Sequence, residues 1–177
     1  MHTKYREPIN KKYLIISIIG VIVFAALLSF FTLKNTNTKT TNNNLRTTQS
    51  TPEYKSIRKN LNQKFNQNGR VVDIKVDHNI NDQTSKYPHT VIVILLTDKQ
   101  TQKYLKTSYE NIQNNQATED QKNYVYAIQK IVSQQAKKLD NNYDVIQFVY
   151  KDGKKYVPVA SSQKNKSLIK PVKSSKK

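Results

Sequence analysis

Twenty-one consecutive residues without a charge, Tyr13 to Leu33, constrain this chain more than any other feature. They read YLIISIIGVIVFAALLSFFTL. At ~1.5 Å of rise per residue a helix of that length spans about 30 Å, the thickness of a bilayer's hydrocarbon core. A helix packed in a soluble core would carry a polar stripe, and this run has none. Tyr13 stands at one edge, where an amphipathic ring is favoured, and Lys11, Lys12 and Lys34 bracket the ends. A cleaved signal sequence would have an apolar run of about 7–15 residues ending at a small-x-small site. Here the run is longer and its end is bulky, with Phe30, Phe31 and Leu33. Residues 13–33 are therefore expected to be a transmembrane helix.

Charge sets the expected orientation. Lys4, Arg6, Lys11 and Lys12 precede the apolar run, and Lys34, Lys39 and Arg46 come after it more sparsely. The positive-inside bias puts residues 1–12 in the cytoplasm and the remainder of the chain outside the cell membrane. Residues 34–51 are rich in Asn and Thr and show no apolar period, so they are expected to form a disordered linker. A coil of that length averages roughly 20–25 Å end to end, which keeps the C-terminal part of the chain close to the bilayer.

Composition narrows the chemistry. Cysteine is absent, which excludes disulfides, zinc–thiolate sites, a thiol nucleophile and a lipidated cysteine anchor. The formal charge is +18, but much of the excess lies outside residues 52–162, in the N-terminal tail, the linker and the six lysines of residues 163–177. That last stretch carries no acid and is expected to be a disordered Lys-rich tail. Abundant Asn, Lys, Gln, Ile and Tyr with no Trp resembles the bias of an AT-rich bacterial proteome.

Residues 52–162 read as one α+β domain. Tyr54, Ile57, Leu61 and Phe65 repeat at helical spacing, with Ser50 or Thr51 as cap and Asn68-Gly69 as stop. Arg70–Asp77 alternates as a half-buried strand, and it leads into a polar loop, His78–Pro88. Thr90–Thr97 is apolar on both faces, so it belongs at the centre of a sheet. Asp98–Leu139 is helical with a break at Ala117-Thr118-Glu119. Tyr104, Leu105, Ile112 and Tyr109 form the first inward face; Tyr124, Val125, Ile128, Ile131, Val132 and Leu139 form the second. Asp152-Gly153 between apolar runs predicts a type I′ hairpin that pairs Lys151 with Lys154 and Phe148 with Val157. Pro158 makes the last strand an edge. The order α-β-β-α-α-β-β predicts a two-layer domain with an antiparallel or mixed four-stranded sheet.

Chemistry is sparse. No HExxH, GxSxG, P-loop or GxGxxG occurs, and three glycines cannot build a phosphate loop. Neither a catalytic group nor a cofactor is predicted. His78 and His89 flank the polar loop beside Asp77 and Asp82, which makes them the one metal-site alternative. Lysine and tyrosine interleave at the last hairpin and in the tail. Lys151, Lys154, Lys155, Tyr156, Lys164, Lys166 and Lys170 are the candidate polyanion-contacting residues.

The arrangement of basic tail, anchor, polar linker and small domain resembles accessory proteins of bacterial envelopes, such as those of conjugation, secretion, division or exclusion systems. It implies a non-catalytic binding or assembly module. Its expected partners are membrane lipid and membrane-proximal envelope proteins. The alternative is a sensor or binder of anionic wall polymer or lipid headgroups. Nucleic acid is not an expected partner outside the cytoplasm.

Overall fold

The computed structural model describes residues 54–173. The expected tail at 1–12, transmembrane helix at 13–33 and linker at 34–51 lie outside the described residues. Among the described residues no helix is long and apolar enough to cross a membrane.

Three helices and five strands make a mixed α+β domain. Helix α1 runs Lys55–Phe65, α2 Lys99–Gln113 and α3 Glu119–Ala136. Strands are β1 Val72–Ile80, β2 His89–Leu96, β3 Val145–Asp152, β4 Lys155–Gln163 and β5 Lys166–Ser167. The sheet order is β1-β2-β3-β4-β5, antiparallel throughout except for the parallel β2–β3 pair. A parallel pair needs a long crossover, and α2 with α3 supplies it.

The hydrophobic pattern explains the layering. Ile92, Ile94 and Leu96 of β2 and Ile146, Phe148 and Tyr150 of β3 alternate onto one face. There they share a core with Ile57 and Leu61 of α1, Leu105 of α2, and Val125, Ile128 and Val132 of α3. Val91, Val93, Val145 and Val149 are also buried, but on the opposite face and outside that cluster. Tyr104 does not join the core. It is 47 % exposed and meets Tyr124 edge-on at 5.1 Å between ring centres.

Helix ends follow side-chain chemistry. Asp98 caps α2 by accepting from Thr101 N at 2.7 Å. The hydrogen bonds to Thr101 hold its carboxyl below the usual carboxylate range. Thr118 and Gln121 form a reciprocal capping box at the start of α3. Helix α1 starts later than Ser50 or Thr51 would have it, after Tyr54 in a left-handed conformation at φ +50. It also stops before Asn68-Gly69. The Asn66 amide accepts from Val71 N and Val72 N and donates to Val72 O, so it takes over as a pairing partner for the incoming strand.

Three further expectations are corrected. The sheet has five strands, not four. The fifth lies in the lysine-rich stretch 163–177 that composition assigned to a disordered tail: Ser162 pairs with Ser167, Gln163 with Lys166, and Leu168 N donates to Ser161 O at 2.8 Å. The hairpin turn is centred on Gly153-Lys154, so Asp152 pairs with Lys155 and Tyr150 with Val157. Gly153, at φ +59, takes the first central position, as a type II′ turn requires. Finally, the register shifts between Phe148 and Val149, leaving Val159 as the extra residue of a bulge beside Pro158. As far as Pro158 the shifted turn leaves the side chains on their expected faces, because it changes the pairing by an even number of residues; beyond the bulge the parity changes, and Ala160 joins the helix-side core opposite Phe148.

Candidate functional site

The sheet topology divides the candidate polyanion-contacting residues between two places. Lys151, Lys154 and Lys155 stand exposed at the β3–β4 turn, with Tyr156 half-buried opposite Lys151. Asp152 lies among them and takes an ion pair from Lys106 at 2.7 Å, which raises the Lys106 pKa. Lys164 and Lys166 stand at the other end of β4. Nine residues of strand separate the two ends, roughly 25–30 Å. One ligand group cannot bridge both sets.

The second place is a groove. Helix α3 lies beside β4, and the chain beyond β5 returns along it. Val172 N donates to the Gln129 side chain at 2.7 Å, and Gln129 Nε2 donates to Val159 O at 3.0 Å. Gln129 therefore fastens the C-terminal segment to both the helix and the sheet. Two adjoining cavities open between these walls. The first, about 280 Å³, is lined by Tyr126, Lys130, Ser133 and Lys137 of α3 and by Ser161, Ser162, Ser167, Ile169 and Pro171 opposite. The second, about 400 Å³, shares Ser133, Lys137 and Ser167 and adds Gln163, Lys164, Asn165 and Lys166. None of these lining residues is acidic. Among the described residues no ion pair engages Lys130, Lys137, Lys164 or Lys166. Lys130 instead lies over the Tyr126 ring at 5.9 Å. Lys170 is exposed between Ile169 and Pro171.

Sequence reading missed Lys130, Ser133 and Lys137. Their spacing was a usable signal, since positions three and seven residues apart share one helical face. Nothing local in the sequence linked that face to Lys164 and Lys166.

The two domain histidines do not converge. His78 is exposed at the surface of β1, with Nδ1 3.2 Å from Thr90 Oγ1. His89 is buried, with Nε2 3.1 Å from Thr84 Oγ1 and 3.7 Å from Asp82 Oδ1. Its Nδ1 faces the Tyr87 carbonyl at 3.4 Å. Thr84 donates to Asp82 through both its hydroxyl and its backbone N–H. Asp82, Thr84 and His89 thus hold the 81–88 loop from within. Among the described residues no group of three or more His, Asp or Glu side chains is placed to hold a metal ion.

A second buried polar cluster is structural. Asp144 accepts from Thr90 N at 2.7 Å, from Asn141 Nδ2 at 2.8 Å and from the Tyr54 hydroxyl. It joins the start of α1 to the starts of β2 and β3. Burial, reinforced by the Asp144 carboxylate, pushes the Tyr54 phenol well above its ordinary pKa.

No family model, curated protein or solved structure compared with the chain matches it.

Proposed function

We propose that this chain is a membrane-anchored, extracytoplasmic, non-catalytic binding module of a bacterial envelope complex, and that its domain takes an anionic partner in the groove between α3 and the β4–β5 turn. One observation carries the reading: four lysines from two distant stretches of sequence line adjoining cavities alongside hydroxyl and amide groups, with no carboxylate among the lining residues. Like charges gathered without counter-charges are electrostatically unfavourable unless an anion neutralises them. Hydroxyls and amides add hydrogen bonds that a simple solvated basic face would not organise. Of the two readings of the sequence, the groove favours an anionic wall polymer or lipid headgroup over a protein surface.

The anchor rests on the uncharged run Tyr13–Leu33, and the short linker would keep the groove membrane-proximal. Two experiments test the proposal. Alkaline extraction of cell membranes should leave the full-length chain in the pellet, and a C-terminal tag should be digested by protease added to cells stripped of their wall. Replacing Lys137 and Lys166 together by Ala should weaken binding to polyphosphate about tenfold or more at low salt and flatten its salt dependence. Replacing Lys151, Lys154 and Lys155 should do far less. Equal losses from both sets would remove the groove from the proposal.

A further inference from the structure

Resting on the groove reading, we infer that the groove continues into a sugar-stacking subsite at Tyr87, so that its ligand is an anionic glycan and not a bare phosphate or headgroup. Tyr87 is 63 % exposed, the most exposed large hydrophobic side chain among the described residues. An exposed ring on a loop is common and means little by itself. This one is held in place. Its ring packs against Tyr143 at 5.7 Å between centres. Its backbone N–H donates to Ser85 Oγ at 2.9 Å, and its carbonyl lies 3.4 Å from Nδ1 of the buried His89 ring. Beneath it, Asp82, Thr84 and His89 tie the loop together in the interior. A ring presented on so braced a loop loses little freedom on binding, which is what a recognition platform requires.

Two residues of the basic groove reach this platform directly. Gln163 Nε2 donates to Thr84 O at 3.2 Å and lies 3.4 Å from Tyr143 O. Asn165 Nδ2 donates to Asn142 Oδ1 at 2.9 Å, next to Tyr143. The surface therefore runs from an aromatic face through amides to Lys164, Lys166 and Lys137. Each part matches one part of an acidic saccharide. The apolar C–H face of a pyranose covers an aromatic ring, hydroxyls pair with amides that both donate and accept, and carboxylate or phosphate substituents meet ammonium groups. A lipid phosphate supplies only the last of these.

The full-length chain in nanodiscs of neutral phosphatidylcholine separates the cases. The probes are polygalacturonate, which carries charge on sugar rings, polyphosphate, which carries charge without rings, and single-stranded poly(dT). Tyr87→Ala should lower affinity for polygalacturonate about tenfold while leaving polyphosphate within about twofold, and Tyr87→Phe, which keeps the ring, should bind like the parent. Lys137→Ala with Lys166→Ala should weaken both anions. An unchanged melting curve for Tyr87→Ala confirms that the fold is intact. If Tyr87→Ala leaves polygalacturonate binding unaltered, or weakens both anions alike, the sugar subsite is wrong and the groove reading stands. If poly(dT) binds more tightly than polygalacturonate and is the probe lost in Tyr87→Ala, the ring serves nucleobases and the inference is overturned. If the lysine variants leave polyphosphate binding intact, the groove reading itself fails, whatever Tyr87 does.

Discussion

Single side chains in this domain do the work of whole connections. Tyr54 reaches Asp144 across ninety residues of sequence, and Asn66 pairs with two successive backbone N–H groups to turn α1 into β1. Tyr54→Phe withdraws a donor from a buried carboxylate and should cost about 1–3 kcal/mol in urea unfolding. It should also change the alkaline limb. The folded chain holds the Tyr54 and Tyr150 protons more tightly than the unfolded chain, whose tyrosines ionise near pH 10. Burial is the main cause in both cases, with Asp144 adding at Tyr54 and Glu110 at Tyr150. Their contribution is intact below about pH 10 and declines as pH rises beyond it. Stability of Tyr54→Phe should fall less steeply over that interval, measured by unfolding at a series of alkaline pH values. None of these long-range pairs could be read from the sequence, because a tyrosine at helical spacing looks like core whether or not its hydroxyl finds a partner.

At the scale of elements, what repeats locally was readable and what depends on a partner strand was not. The β2 run, apolar on both faces, announced a central strand, and Thr118 announced the restart of the helix. Thr118→Ala should cost about 1 kcal/mol in thermal or urea unfolding, by loss of its half of the capping box. The hairpin was foreseen in place but not in register. Asp152-Gly153 resembles a type I′ turn, yet Asp152 is drawn into the ladder opposite Lys155 and the turn moves on by one residue. Gly153→Val should therefore destabilise the domain by about 1–2 kcal/mol, through φ and not through crowding, since no atom lies within 4 Å of where its Cβ would be. Strand β5 escaped notice because Lys166-Ser167 has the composition of a solvated tail. Its pairing comes from the chain doubling back after Gln163, which no periodicity records.

For the molecule as a whole, the candidate site exists because the crossover lays α3 beside β4. The lysine-rich end of the chain then closes over the space between them. Lys130 and Lys137 precede Lys164 and Lys166 by 27 to 36 residues, and only the crossover and hairpin bring them to one groove. Ending the chain after Asn165 should abolish most polyphosphate binding, because it removes Lys166, Ser167 and the returning wall. It should also lower the melting temperature by a few degrees, roughly what losing the partly buried Val172 and the Gln129 bond implies. A truncation after Lys173 should do neither, which a melting curve and a binding isotherm on the same preparation would establish.

Tyr54 stands at the start of α1, and its hydroxyl is fastened to Asp144 at the end of the sheet where Tyr143, Gln163 and the groove are found. Helix α1 thus starts at the end that would hold the ligand. In the proposed arrangement, with the chain anchored and a glycan in the groove, tension would run from the groove to the head of β3 and on to Tyr54 at the start of α1. The β3–β4 tip and most of the sheet would carry no load. Under such pulling the first structure to yield would be α1 peeling from its start, with the central strands still joined.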